Sequence, residues 1–147
     1  MSDVIRYISL IEHNTRLLDL LTGNLPKHLE KEDFSGWQVT TIFYISCIYI
    51  KAVCSLSNIN IQDHYALRNE INANKDLLSI SKFYRHIEEA SRDARYEGRK
   101  FSKDFIINII LPKFNKVRDC AATIIRQKGI LNIIGVDIKP FLNRLSD

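Results

Sequence analysis

From Trp37 to Ser57 the chain runs for about 20 residues, WQVTTIFYISCIYIKAVCSLS, without a glycine, a proline or any other turn signal. Its Val, Ile, Thr, Phe and Tyr content favours strand. Its length argues the other way, because strands usually end after about five or six residues and this run offers no place to turn. The stretch therefore reads as a buried central helix, and the rest of the chain has to pack around it. Its most apolar part, VTTIFYISCIYI, contains Thr and Ser and is shorter than the roughly 20 residues a bilayer requires, so it reads as core.

The flanking segments have the spacing to cover such a helix. Val4, Ile8, Ile11, Leu18, Leu21 and Leu25 recur at helical intervals, and Pro26 stops that first helix. SNINIQD reads as a loop in which Asp63 can cap a short third helix, His64 to about Asn74. A fourth helix begins near Ser79 and carries Ile80, Phe83, Tyr84, Ile87, Ala90, Ser91, Ala94 and Gly98 on one stripe. The second half of that stripe is small, which lets a neighbouring helix approach closely. A fifth helix starts after Ser102 with Ile106, Ile110, Phe114, Val117, Ala121 and Ile124 on one face. Pro112 projects from the opposite side, so a kink is expected rather than a break. Gly129 and Gly135 bracket an apolar connector, ILNII, and Asp137 can cap a short final helix through Leu145. The expectation is one all-α domain over residues 1–147, an antiparallel up-and-down bundle of four to five main helices with a short C-terminal helix. Five Gly and three Pro leave little room for the turns of an all-β fold.

Composition narrows the chemistry. A net charge of +4 permits an anionic partner such as RNA without demanding one. Cys47, Cys54 and Cys120 are odd in number and lack metal-ligand spacing; the first two lie two helical turns apart, as buried thiols would. A reducing, cytoplasmic setting follows as the expectation, and MSDVIRYISL has no signal-peptide pattern. No Gly-rich phosphate loop, H-E-x-x-H, nucleophile elbow or zinc spacing occurs, so neither a cofactor nor a metal is expected.

Two constellations are candidates for a site. His64 and Arg68 share a helical face with Leu67 and Ile71, which places them at the core edge. An imidazole and a guanidinium held together there can grip a phosphate and move a proton, with Asn69 as a polar helper. The competing reading has His64 bonding a backbone carbonyl and Arg68 reaching an acid on the fourth helix. Arg85, Arg92 and Arg99 fall seven apart along that helix, with Arg95 nearer the core edge and Tyr96 on the outer flank. Such a ridge can follow an RNA backbone while Tyr96 offers a stacking face. The alternative is a solvated face, with Glu88 and Glu89 pairing Arg92 and with Asp93 and Glu97 diluting the potential. Tyr7, Phe43, Tyr44, Tyr49, Phe83 and Tyr84 read as mostly core, their hydroxyls partnered by Ser91, His64 or Arg68, and Trp37 as the anchor of one end.

Four features in order resemble the HEPN superfamily: NTRLLDLL in the first helix, GWQVTTIFYISCIYIKAV in the second, HYALRNEI opening the third and FYRHIEEASRDARY in the fourth, together about residues 14–126. The resemblance implies a helical bundle, commonly a homodimer, and activity as a metal-independent endoribonuclease. In catalytic members an Arg, a polar residue and a His meet across the dimer cleft, the His activating a ribose 2′-hydroxyl and the Arg holding phosphorane charge. This chain departs from that pattern: the resemblance calls for four to six residues between the Arg and the His at the late-helix junction, and the only match is Arg6 to His13, away from the apolar stripe of the first helix. The resemblance raises Arg95 and Tyr96, which fill its R-Y positions, and leaves His64, Arg68 and Arg95 as the working groups. It implies a toxin or defence ribonuclease with a separately encoded antitoxin, or a non-cleaving RNA-binding relative. The alternative is a catalytically inert module that dimerises or binds a protein partner; a nucleotide sensor would lack any phosphate loop.

Overall fold

The computed structural model describes residues 2–23, 25–29 and 31–128. The ILNII connector and the helix expected from Asp137 lie outside them. Among the described residues every regular element is helical and no strand occurs. The described residues form five helices: α1, Ser2–Gly23; α2, Ser35–Leu56; α3, His64–Ala73; α4, Ser81–Glu97; and α5, residues 103–127. The last is composite, with α-helical Lys103–Phe105, a π turn Ile106–Ile110 and α-helical Leu111–Gln127. Single 3-10 turns, Lys27–Leu29 and Leu78–Ile80, lead into α2 and α4.

The β-branched run is the hub. α2 packs against each of the other four helices, while α1 makes its main contact with α2. Fourteen of the 22 residues of α2 are buried, among them Ile42, Phe43, Ile45 and Ile50, which are fully enclosed. By length and composition this helix could cross a membrane, but 72% of its apolar window is covered by the rest of the bundle. Its buried hydroxyls are satisfied within the helix: Thr40 donates to the Gly36 carbonyl at 2.8 Å, Thr41 to Trp37 at 2.7 Å and Ser46 to Ile42 at 2.9 Å. A Thr-rich helix can therefore sit in a core without orphaned polar groups.

Local chemistry sets the helix ends. The Asp63 carboxylate accepts from the Ala66 N–H at 2.8 Å and starts α3 as expected. Ser102 does the same for Phe105 at 3.1 Å. Helix α4 begins at Ser81, slightly later than the spacing suggested, because Leu78–Ile80 forms the preceding 3-10 turn. Pro112 does not break α5. The turn before it is widened into a π turn, the arrangement that relieves a proline ring pressing on the carbonyl four residues back.

Two glycines place the end of α4 against the start of α2. A Cβ at Gly36 would stand 3.3 Å from the Arg99 carbonyl oxygen and 3.5 Å from Ala94 Cβ, so the small stripe of α4 permits the close approach read from the sequence. Gly98, at φ 64°, ends α4 in the left-handed region, and the Arg99 N–H returns to the Asp93 carbonyl at 3.2 Å. Beyond that turn the Phe101 N–H donates to Ser35 Oγ at 2.8 Å, and Ser35 is itself held by Asp33. The chain after α4 is thereby tied to the first turn of α2.

Candidate functional site

Phe43 is the pivot on which α2, α3 and α4 converge. It is fully buried, and its ring centroid lies 5.5 Å from Tyr44, 5.3 Å from His64 and 5.9 Å from Tyr84. The Arg95 guanidinium sits over it at 5.5 Å. His64, at the first turn of α3, and Arg95, near the last turn of α4, are thus brought to one aromatic centre.

One side of this centre is closed. Glu88, only 4% exposed, receives Arg68 Nη1 on Oε1 at 3.0 Å, has Arg92 Nη2 at 4.0 Å, and accepts from the Tyr84 hydroxyl on Oε2 at 3.4 Å. The Tyr84 oxygen also lies 3.6 Å from Cys47 Sγ, which stands 4.0 Å from His64 Nδ1. Burial pushes the Cys47 thiol up to about 12, so the sulfur stays protonated and inert. Burial, then the neighbouring Cys47, raises Tyr84 beyond its ordinary value. Burial also lowers His64 below 6.5, the loss of hydration outweighing the attraction of Glu88. Arg68 is shifted upward by its hydrogen bond to Glu88. Its charge is committed inside the chain, which leaves little to offer a phosphorane.

The other side is open. Arg95 Nε donates to the Ser91 carbonyl at 3.3 Å and Nη1 to the Tyr44 hydroxyl at 3.4 Å. Its guanidinium also lies 5.8 Å from the Tyr44 ring and 5.3 Å from the Tyr96 ring. Among the described residues no carboxylate pairs with it. Tyr44 is 38% exposed and Tyr96 73%. Beyond Arg95 a cleft of about 330 Å³ opens between the first turns of α2 and the end of α4, lined among others by Gly36, Trp37, Thr40, Arg99 and Lys100. Arg99 is held by Asp93 at 3.1 Å and lies over Phe101 at 4.8 Å and Phe105 at 5.1 Å. Asp33 stands at the rim; hydrogen bonds from the Ser35 hydroxyl and N–H keep its carboxyl below the usual range.

Five of the nominated residues line two separate clefts. Arg68, Asn69 and Arg85 line a separate cleft of about 300 Å³ with Asn72, Ser81 and Tyr84, while Arg95 and Arg99 line the one beside Trp37. The arginine ridge is partly tied up. Arg85 pairs with Glu89 at 3.4 Å, so Glu89 serves Arg85 rather than Arg92. His64 contacts rings and a thiol, whereas Arg68 does reach an acid on α4. Ser91 is enclosed with no partner for its hydroxyl, and Tyr84 takes Glu88 and Cys47 instead of the partners anticipated. Tyr44 reaches the surface, and Trp37, expected to anchor one end of the bundle, is 62% exposed.

Glu88 is the residue that sequence reasoning misplaced. Its signal was available: it follows Tyr84 by four and precedes Ser91 by three, which puts it on the buried stripe. No three His, Cys, Asp or Glu side chains converge as metal ligands among the described residues. Comparison with protein-family models, curated proteins and solved structures returns no match for this chain.

Proposed function

We propose that this chain is an antiparallel, up-and-down bundle of the HEPN type that binds single-stranded RNA without cutting it. The observation that supports this most is Arg95: a guanidinium backed by Phe43 and flanked by exposed Tyr44 and Tyr96, with no carboxylate pairing it among the described residues. Aromatic faces interleaved with fixed cations are what unpaired bases and a phosphate backbone require. The non-cleaving form is favoured because Arg68 is occupied by Glu88 and the only imidazole nearby is half-enclosed against Phe43 and Tyr44. In this reading two copies pair, as the resemblance implies.

The test is fluorescence anisotropy of a labelled RNA decamer, with a parallel incubation of RNA without metal. Arg95→Ala is expected to weaken binding about tenfold, the scale of one stacking or cation–π contact. Arg68→Ala should change affinity less than about twofold, since its charge is already compensated. Metal-free cleavage abolished by His64→Ala or Arg68→Ala would replace this reading with the ribonuclease. A second reading, an inert protein-interaction module, draws on the closure of the Arg68–Glu88–Tyr84 network within one chain; failure to bind any RNA would leave it standing.

A further inference from the structure

We propose that the cleft between the first turns of α2 and the last turn of α4 takes one unpaired nucleotide of an RNA strand, its base against Trp37 and its phosphate between Arg99 and Lys100. This rests on the RNA-binding reading and adds to it a place and a mode. The space, about 330 Å³, is at the small end of ligand sites. Two of its lining residues are glycines. Gly36 is pressed against the end of α4, whereas a Cβ at Gly98 would meet nothing within 4 Å.

Trp37 is the only tryptophan in the chain, and it stands 62% exposed at this cleft instead of in the core. A large aromatic left in water at the edge of a concavity is a surface awaiting a flat partner. Every base supplies one, so stacking there selects for an unpaired base and not for its identity.

The charges supply the second half of the ligand. Arg95, Arg99 and Lys100 line the cleft against one carboxylate, Asp33, whose Oδ1 already accepts from the Ser35 N–H at 2.9 Å and its hydroxyl at 2.6 Å. Arg99 is laid over Phe101 and Phe105, so part of its side-chain freedom is already given up when an anion arrives. The Asp93 pair is half-exposed on both sides and therefore too weak to cancel that charge. A base joined to a phosphate satisfies both the aromatic rim and the basic wall. A free nucleotide shares that chemistry, and strand length separates the two sources.

Because Trp37 is the sole tryptophan, its emission reports occupancy of this cleft while anisotropy of a labelled decamer reports RNA binding anywhere. The expected result is quenching over the same concentration range as the anisotropy rise, with a decamer of abasic sites leaving the emission unchanged. Trp37→Ala should weaken decamer binding about tenfold, and Lys100→Ala about threefold. Trp37 is exposed, so its removal leaves the core intact. Uridine monophosphate should quench only at concentrations about a hundredfold higher, since it lacks the neighbouring contacts. Anisotropy that rises without quenching would overturn the cleft and leave the RNA reading in place. No change in anisotropy would overturn both. A monophosphate quenching as tightly as the decamer would overturn the assignment to a strand.

Discussion

Helix α4 carries two kinds of arginine site seven residues apart, and they solve the same problem in opposite ways. At Glu88, Arg68 and Arg92 meet a buried carboxylate. At Arg95, a guanidinium of similar exposure meets three aromatic rings. The first arrangement cancels charge and has to recover the cost of drying out an ion pair. The second holds a guanidinium in place through ring quadrupoles and leaves its charge intact. Position in the fold does not separate them, since both touch side chains in contact with Phe43. What separates them is the partner, and the partner decides whether an arginine is structural or available.

The sharpest way to break this contrast is stability. Glu88→Ala leaves Arg68 without its acid and the Tyr84 hydroxyl without its carboxylate acceptor in an enclosed site. A fully buried pair broken on one side costs about 3–5 kcal/mol; with Arg68 partly in water, a loss of about 2–3 kcal/mol is expected by urea denaturation. Arg95→Ala removes no charge pair and should cost less than about 1 kcal/mol. Equal losses would mean that both sites are structural, and the distinction would fail.

How much of this was legible beforehand follows from what each signal encodes. The hub was readable because a run of some 20 residues without a turn leaves helix as the only continuous solution. The cap at Asp63 and the small stripe of α4 were likewise local or periodic facts, whereas the meeting of His64 with Arg95 on Phe43 depends on how three helices cross. Glu88 was missed because charge type was weighed above register: a glutamate beside arginines reads as surface, although its spacing from Tyr84 and Ser91 places it inside. Trp37, expected to anchor one end of the bundle, is largely exposed, and Tyr44 was misread for the converse reason. Aromatics at helical spacing are usually core, and only the three-dimensional crossing of α2 and α4 shows which side of α2 is left uncovered. The π turn before Pro112 had no sequence signal beyond the proline itself.

Acid sharpens the comparison from the closed side. His64 has its folded value below 6.5, so the unfolded chain binds that proton more readily. The corresponding stability is fully present above about pH 6.5 and is lost as pH falls from there through the folded value. Asp33, also lowered, gives up its contribution only below its ordinary 3.8, outside the range from pH 7 to 5. Thermal melting between pH 7 and 5 should therefore show a decline that His64→Asn flattens and Arg95→Ala does not. A decline of the same slope in His64→Asn would remove His64 from the enclosed network.

The smallest effect is also the most direct measure of which charges are free. Binding of single-stranded RNA weakens with salt in proportion to the phosphates neutralised, the log–log slope being about 0.7 per contact. Replacing an available cation should make that slope shallower by about 0.7, whereas replacing one already cancelled by a carboxylate should leave it unchanged. Lys100→Ala and Arg95→Ala belong to the first group and Arg68→Ala to the second, because Arg68 exchanges one anion for another only by abandoning the buried Glu88. A full reduction in slope for Arg68→Ala would show that Glu88 yields its arginine to RNA. The closed side would then be a second phosphate site held shut by an internal carboxylate, and the two arginine sites of α4 would differ in timing rather than in kind.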